Sequence, residues 1–449
     1  MTEFDPLHDK AYTERLTLLG DKREIIASED IYNDQGLLLV RKGSPINHKI
    51  ADKIVRFKLV KPIESSIDIE NSLGATDLYR DLLSSIQRYP QVLMIHQRAN
   101  IEPTLKQLCG YYARFPIIRQ KLTVMREQMP KLYWQSISVT WLAVTMAIHM
   151  KMAEEKIETC FMSGLCHDIG MMHIDPGVVT KKESLSPEEW RQIQAHSVIS
   201  QRVLSNVAGV KPVVAQVVLE HHERCDGTGY PHGKFSHQLT IEGQVIALAE
   251  SVIAVYTNRL VPKGRTLRDL MPFLQVNSES HFYDTYKSLI LLLRNADLDE
   301  KPFISNETVD NEIGRLKRKN DQLSHMLQGL ESLISRFSEQ KDHKLLLSAK
   351  TILIQILRIV RGSGILDEGY LRWLEQVRAE KLAFAYREVD DVSLMLDEIE
   401  WHTLRIKKAM DAFIDSAHLK DAALKESAKK EMVNVELAIL PNADEFSIN

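Results

Sequence analysis

The sequence CHDIG at residues 166–170 decides the interpretation of this chain, together with two later histidine segments. A single histidine follows at position 196, and the run HHERCDGTGYP occupies residues 221–231. The gaps from Asp168 to His196 and from His196 to His221 are 28 and 25 residues, each the length of a helix plus a turn. The three segments can therefore lie on successive helices of a bundle and converge on one point.

The residue types in these segments suit a metal centre. Imidazole nitrogens and carboxylate oxygens are the donors that first-row metal ions with hydrolytic roles bind. An aspartate directly after a histidine can bridge two ions, and two ions roughly 3.5–4 Å apart hold both the attacking and the leaving oxygen of a phosphoryl displacement. A lone His-Asp pair or a lone histidine is more often an ordinary side chain. The three segments in this order predict a metal centre.

The composition excludes two broad classes of protein. The 449 residues include 57 Lys and Arg against 61 Asp and Glu, for a net charge of −4. This balance argues against a general nucleic-acid binder and against an acidic disordered chain. The basic residues between Lys106 and Lys131, among them Lys121, are expected on a solvated helix face because no aromatic stacking pattern is interleaved with them. We expect no polymeric nucleic acid as a partner.

Cysteine usage and hydropathy indicate the compartment. Four cysteines in a chain of this length do not form a disulfide framework, and Cys160 and Cys166 lie in a segment expected to be a buried helix. No stretch reaches the ~18 consecutive apolar residues of a spanning helix. Residues 1–9 lack the charged-then-apolar pattern of a signal peptide. We therefore expect a cytoplasmic protein without a membrane span.

The sequence pattern divides the chain into five parts. Low contents of Gly and Pro, 19 and 15 residues, indicate long helices over most of the sequence. Strand signals on either side of the turn cluster NDQG at 33–36 set apart a small mixed α/β domain. The predicted fold class is mainly α, an all-helical bundle between that domain and a C-terminal helical region. The predicted parts are 1–72 (small mixed domain), 73–133 (helical connector), 134–300 (bundle with the histidine segments), 301–420 (coiled-coil and helical region) and 421–449 (tail).

A heptad repeat opens the C-terminal region. Apolar residues from Ile313 to Phe337 recur with the spacing of a coiled-coil seam over four heptads, and Asn320 occupies one seam position. A buried asparagine at such a position favours a two-stranded register. Two interpretations remain open. The seam pairs two copies of the chain as a homodimer, or it packs within one chain against the helix expected at residues 345–360.

The histidine segments resemble those of the HD-GYP branch of the HD phosphohydrolase superfamily. HDIG at 167–170, His196, and HHER with DGTGYP at 221–231 carry the resemblance, which covers residues from about 134 to 260. It implies an all-helical domain that binds iron or manganese ions and hydrolyses cyclic di-GMP to the linear dinucleotide or to GMP. The mixed domain also resembles modules that precede HD-GYP domains in bacterial proteins.

The resemblance implies two metal positions of unequal strength. One position uses Asp168, His196, His221 and His222, all of which are present. The other uses His167, Asp168, a late aspartate and an early histidine. Glu250 replaces the late aspartate, and residues 134–139, where the early histidine is expected, contain none. His149 lies too close to His167 in sequence to substitute well. We therefore expect one strong and one weak metal site.

The resemblance also implies residues that contact the substrate. Lys181 and Arg259 match positions that reach the phosphates, and Lys181 is counted with Asp168 as catalytic. The family's lysine after HDIG is Met171 here, which cannot supply a positive charge, although the nearby His173 could donate when protonated. The loop residues Gly229, Tyr230 and Pro231 are implied to border the site and to contact signalling partners.

These features predict a metal-dependent phosphodiester hydrolase of the HD-GYP type that acts slowly on cyclic di-GMP. The alternative is an inactive module that binds the nucleotide or protein partners as a signalling scaffold, since three departures fall on one side of the site. A phosphohydrolase for another nucleotide is disfavoured by the intact Gly-Tyr-Pro loop.

Overall fold

The computed structural model describes residues 5, 9–20, 22–296, 298, 301–337, 343–416 and 422–437. Helices dominate these residues, and only two small antiparallel sheets occur among them, which confirms the mainly α prediction. Residues 1–9, which lack the pattern of a signal peptide, lie almost wholly outside the described residues. Of the predicted tail, residues 422–437 form a helix, and 438–449 lie outside the described part.

The N-terminal part is a small module of strands and two helices. Strand β1 pairs with β4, with Ile25 opposite Ile69, and β2 pairs with β3 across the turn at 33–36. Alternate residues of β1 and β4 are buried, so that the sheet packs one face against the core. The first helix was not predicted. The elements are α1 Lys10–Gly20, β1 Ile25–Ala27, β2 Ile31–Tyr32, β3 Leu38–Val40, α2 His48–Val55 and β4 Ile67–Ile69.

The middle of the chain is a bundle of thirteen helices among the described residues. Several begin with proline at their first position, where the missing N–H costs no hydrogen bond, and Ser186 caps α10 in a capping box with Glu189. They are α3 Ala75–Gln87, α4 Pro90–Ala99, α5 Glu102–Tyr112, α6 Pro116–Gln128, α7 Pro130–His149, α8 Glu154–Cys166, α9 Pro176–Val179, α10 Pro187–Gln194, α11 His196–Ser205, α12 Pro212–Glu220, α13 Ile241–Val255, α14 Leu270–Val276 and α15 Tyr283–Arg294.

One hydrophobic core joins the N-terminal module to this bundle. Residues of α1, of the strands, of α3 to α8 and of α11 to α15 belong to the same buried cluster, and partly buried residues of α9 and α10 pack against it. Lys121 of α6 lies inside it, fully buried, which corrects the expectation of a solvated position. Its ammonium group pairs with Glu64 at 2.8 Å and lies 3.4 Å from the ring centroid of Tyr12. A buried ammonium needs such partners because an isolated charge is costly away from water.

The C-terminal helices form a second core. They are α16 Val309–Arg336, α17 Lys344–Ser363, α18 Glu368–Glu380, α19 Tyr386–Asp415 and α20 Ala422–Leu437. The heptad repeat lies on the single continuous helix α16, except for its last residue, Phe337, which directly follows the helix. The apolar seam residues from Ile313 to Phe337 are buried against helices of the same chain. The Asn320 side chain donates to the carbonyl of Ile365 at 3.0 Å. These contacts support the intrachain interpretation of the seam over the homodimer.

The helical run Ile241–Lys263, which includes α13, is long and apolar enough to cross a membrane by length and composition alone. Half of its most apolar window is buried inside the chain, as expected for a core helix of a bundle.

The contact between α7 and α8 predicts the effect of one substitution. A Cβ atom at Gly164 would lie 2.8 Å from the Cα of Thr140. Gly164→Ala should therefore lower the free energy of unfolding by ~1–3 kcal/mol, as overpacking does. Gly110→Ala is the matched control, because nothing lies within 4 Å of its added methyl group in α5. In this control the free energy of unfolding should rise by ~0.5–1 kcal/mol, because alanine has a higher helix propensity than glycine. Urea denaturation of both variants tests the packing, and a Gly164→Ala chain as stable as the parent would contradict it.

Candidate metal centre

The ends of three helices bring the predicted ligands together. His167 and Asp168 follow the last residue of α8, His196 begins α11, and His221 and His222 follow α12. Helix ends are suited to this role because the chain turns there and can direct consecutive side chains to one point. The predicted convergence of the three segments is therefore present in the structure.

Gly170 fixes the end of α8 against α11. A Cβ atom at this position would lie 2.1 Å from the carbonyl oxygen of His196, so that only glycine fits. The hydroxyl of Ser200 accepts from the Gly170 N–H and donates to the His167 carbonyl, both at 2.8 Å. The backbone of the HDIG segment is thus held in direct contact with the helix that carries His196.

The side chains of Asp168, His196, His221 and His222 form one compact cluster. One donor atom from each residue lies within 4.8 Å of every other. Nε2 of His196 lies 3.1 Å from Nε2 of both His221 and His222, and 3.3 Å from Oδ1 of Asp168. Four donors at these separations, drawn from a carboxylate and three imidazoles, fit a divalent ion of the first transition row.

Backbone carbonyls set the orientation of the histidine rings. Nδ1 of His167 faces the carbonyl of Gly164 at 2.8 Å, and Nδ1 of His196 faces that of Ile193 at 2.7 Å. His221 makes the same contact with the carbonyl of Val218. Because a carbonyl only accepts, each Nδ1 carries the hydrogen, and Nε2 is directed to the cluster. Metal-binding histidines are commonly held in this way.

Burial and charge set the protonation states. Burial lowers the pKa of His196 and holds the pKa values of His221 and His222 well below their usual range, so that these rings are neutral near pH 7. Burial alone would raise the pKa of Asp168, but the adjacent His167 outweighs it and lowers this pKa. Burial likewise opposes the charge on His167, whose pKa Asp168 raises to about 9. A metal ion would displace that proton.

Glu250 of α13 lies beside this cluster. Its Oε1 is 3.6 Å from Nε2 of His222. Its Oε2 is buried and, among the described residues, has no hydrogen-bond partner. Burial, assisted by Asp168, raises the pKa of the carboxyl to about 7. An unpartnered buried carboxylate oxygen next to His167 and Asp168 fits a second, weaker metal position.

Among the residues that the structure describes, no histidine takes the place of the early ligand of this second position. Nδ1 of His149 pairs with the hydroxyl of Ser288 at 2.9 Å, and His149 is not part of the ligand cluster. Ser136 lies in the segment of α7 where the histidine was expected. It is buried, and its hydroxyl has no hydrogen-bond partner in the described part of the chain.

The loop with Gly229, Tyr230 and Pro231 folds directly onto the ligands. The Tyr230 ring stacks on His222 with centroids 4.5 Å apart, and the Tyr230 N–H donates to the His222 carbonyl at 3.1 Å. A Cβ atom at Gly229 would lie 2.4 Å from the same carbonyl. The outer side of the loop contacts α17, since Gln355 donates to Asp226 at 2.9 Å. The loop therefore borders the cluster, and the chain's own C-terminal region covers part of its outer surface.

The two predicted phosphate contacts are both in ion pairs. Lys181 pairs with Glu189 at 2.7 Å. Arg259 donates to Glu398 of α19 at 2.7 Å, and that carboxylate is almost fully buried. Neither residue contacts the ligand cluster in this conformation. Met171 packs against the hydrophobic core.

His173 is turned away from the cluster. Its Nδ1 contacts Asp9, and its ring stacks on Tyr12 with centroids 5.1 Å apart. Its Nε2 lies 3.3 Å from the ammonium group of Lys121. The expectation that His173 could donate to a phosphate is therefore wrong.

Arg224 is a site residue to which the sequence analysis gave no role. Its guanidinium donates to the carbonyls of His221 at 3.3 Å and Glu223 at 3.0 Å, and to the hydroxyl of Ser251 at 3.1 Å. It thereby ties the histidine pair to the helix that carries Glu250. Its place in the HHER run was the only signal for this role.

Part of the chain is similar to known proteins. Residues 116–286 match a family model described as an HD domain. Cyclic di-GMP phosphodiesterase PA4108 of Pseudomonas aeruginosa is 26% identical over 166 residues, 37% of this chain and 40% of the relative. A cyclic di-GMP phosphodiesterase of Thermotoga maritima is 34% identical over 132 residues, 29% of this chain and 36% of that protein.

Two further proteins are similar over part of their length. The 3'3'-cGAMP-specific phosphodiesterase 1 of Vibrio cholerae is 27% identical over 173 residues, 38% of this chain and 40% of the relative. The solved structure of Bd1817, an HDG"Y"P protein from Bdellovibrio bacteriovorus, aligns with a TM-score of 0.31 and 14% identity, over 60% of this chain and 95% of that chain. The chain spans about two fifths of the length of the curated relatives. The matched segment, residues 116–286, is therefore similar to an HD domain, and the signature that resembles the HD-GYP family, at residues 167–231, lies inside it.

Proposed function

We propose that this chain is a slow, metal-dependent phosphodiesterase that hydrolyses cyclic di-GMP. The observation that carries the proposal is the cluster of Asp168, His196, His221 and His222, whose donor atoms lie within 4.8 Å of one another. The names of the relatives support the substrate class, and one of them is specific for a mixed cyclic dinucleotide. Substrate assays should therefore include both cyclic di-GMP and 3'3'-cGAMP.

Asp168 is the residue on which the two metal positions depend. Its Oδ1 lies 3.3 Å from Nε2 of His196, and its Oδ2 lies 3.2 Å from Nε2 of His167. One carboxylate can therefore serve both sets of ligands. These residues would hold divalent ions, iron or manganese by the family resemblance, which would supply Lewis acidity and an activated water. The imidazoles of His221 and His222 complete the stronger site, and Glu250 contributes to the weaker one.

The remaining groups orient the reacting bond. Tyr230 fixes the plane of the His222 ring. Lys181 and Arg259 neutralise the phosphate charges after these two side chains have separated from Glu189 and Glu398. The water oxygen forms a bond to phosphorus and gives up one proton to solvent. The P–O3′ bond breaks with its electron pair on O3′, and O3′ takes up one proton from solvent. The product is the linear dinucleotide.

Three departures make the reaction slow. Loss of one imidazole and exchange of aspartate for Glu250 weaken the second metal position. Loss of even a hydrogen-bond partner of a ligand typically costs ~10–100-fold in affinity. Met171 removes a charge near the phosphate, and loss of one preorganised donor costs on the order of 10²–10³ in rate. If these losses reduce the rate of hydrolysis to zero, the chain acts as an inactive signalling module.

The setting of this activity is part of the proposal. A cytoplasmic location fits the four cysteines, all of which are free thiols in the structure. Signalling partners are proposed to contact the part of the Gly-Tyr-Pro loop region that stays accessible, where His232 and Phe235 are exposed.

Removal of the shared carboxylate tests the centre directly. Asp168→Ala should abolish both metal binding and hydrolysis, because this side chain serves both positions. Elemental analysis of the purified chain and chromatographic detection of the linear dinucleotide provide the measurements. Glu183→Gln, which changes an exposed carboxylate, is the control and should behave as the parent. Full metal occupancy in Asp168→Ala would place the ions elsewhere.

Restoring the missing groups should raise turnover. The triple variant Met171→Lys, Glu250→Asp and Ser136→His returns the charge and the ligands, so that hydrolysis is expected to rise ~10-fold or more with tighter second-metal binding. The same chain with Met171→Leu in place of Met171→Lys separates the effect of charge from that of the ligands. Unchanged turnover in a triple variant with two bound ions would show that the deficit lies outside these positions.

Release of Arg259 should improve nucleotide binding. Glu398→Gln removes the charge that holds this guanidinium, and a charge-assisted hydrogen bond to phosphate is worth ~1.5–3 kcal/mol before ordering costs. Calorimetry should find cyclic di-GMP bound several-fold more tightly than by the parent. Asp391→Asn breaks the neighbouring pair with Arg268 at 2.9 Å and is the matched control, with no expected gain. Equal affinities for parent and Glu398→Gln would remove Arg259 from the phosphate contacts.

A further inference from the structure

Helix α1 packs directly against the segment that follows Asp168. The guanidinium of Arg15 donates to the carbonyls of Met172 at 2.9 Å and Ile174 at 3.2 Å, and to Ala11 on its own helix at 3.2 Å. Arg15 is 5% exposed. The acceptors lie 157 and 159 residues further along the chain. One buried side chain thus holds two backbone carbonyls of a distant segment.

The same segment is held through its side chain at His173. Asp9 contacts Nδ1 of His173, and Tyr12 stacks on the ring. Lys121, fully buried, lies 3.3 Å from Nε2 and pairs with Glu64 of the N-terminal module. Residues before and within α1 therefore fix both the backbone and the side chain of this segment.

Residues 169–174 cannot shift far without also moving the metal-ligand residues Asp168 and His196. Residues Ile169–His173 form one short 3₁₀ helix directly after Asp168. Gly170 in it touches the His196 carbonyl so closely that no Cβ would fit, and Ser200 bridges it to the His167 carbonyl. Because this contact is already at its closest approach, a shift of residues 172–174 would be transmitted to the backbone of both ligand segments.

We propose that Arg15 is a positioning residue for the metal centre, acting through the carbonyls of Met172 and Ile174 on the geometry of Asp168 and His196. The inference rests on the proposed function in that it requires the cluster to bind a divalent ion. It extends the site beyond the matched HD domain, since α1 lies outside residues 116–286. It also gives the N-terminal module a direct mechanical connection to the metal centre.

The test is Mn²⁺ binding by the metal-free full chain, measured calorimetrically with Mn²⁺ as the only probe. Arg15→Met removes the donors at similar length and should weaken Mn²⁺ affinity ~10-fold or more, the cost typical of losing a supporting partner of a ligand. Arg15→Lys keeps one donor group and should recover part of that loss. Arg23→Gln is the matched control, because Arg23 ties the module to Glu127 at 2.9 Å and does not contact residues 169–174.

Thermal unfolding of each metal-free variant separates positioning from stability. A folded Arg15→Met chain with parental Mn²⁺ affinity and a lowered unfolding temperature would overturn the proposal, since Arg15 would then be a structural contact only. If Arg15→Met does not fold, Arg15→Lys is measured in its place. A several-fold loss of Mn²⁺ affinity is then expected, and an Mn²⁺ affinity equal to that of the parent would overturn the proposal. Lack of Mn²⁺ binding by the unaltered chain would remove the proposed function itself and this inference with it.

Discussion

The structure depends on one repeated interaction, a hydrogen bond from a buried imidazole Nδ1 to the carbonyl three residues earlier at the end of a helix. His167, His196 and His221 each make it. The bond fixes the tautomer and the ring plane together, so that three Nε2 atoms meet around Asp168. Burial keeps His196 and His221 neutral, which allows the rings to approach closely without repulsion between positive charges. The metal centre is thus prepared by backbone geometry, and it persists only as long as the helix ends stay where they are.

Both flanking regions keep those helix ends in place. On one side, α1 holds the backbone after Asp168 through Arg15. On the other, α17 and α19 hold the loop at Asp226 and the end of the helical run at Arg259. The HD domain is therefore packed between two parts of its own chain, one of which contacts a ligand segment and the other a proposed phosphate contact. A change in either flank would reach the site through these hydrogen bonds and ion pairs, and on the N-terminal side also through the shared apolar core.

The sequence predicted what depends on local spacing. The ligand cluster, the mainly α fold and the continuous helix of the heptad repeat all follow from residues whose separation matches helical periods. The sequence could not decide whether the heptads pair within one chain or between two chains. The repeat shows that one face of the helix is apolar but does not identify the helix that covers it. Pairs such as Arg259 with Glu398, or Arg15 with the carbonyl of Met172, join residues more than a hundred positions apart and leave no periodic signal. The burial of Lys121 was also missed, because its partner Glu64 lies in another module and the pair leaves no periodic signal.

The most direct measurement is anomalous diffraction from crystals of the full chain grown with Mn²⁺. The account predicts a strong peak at roughly 2.0–2.2 Å from Nε2 of His196, His221 and His222 and from a carboxylate oxygen of Asp168. A second, weaker peak is expected between Asp168 and Glu250, because that position lacks an imidazole. A strong peak elsewhere in the chain, or none near Asp168 at saturating Mn²⁺, would contradict the account.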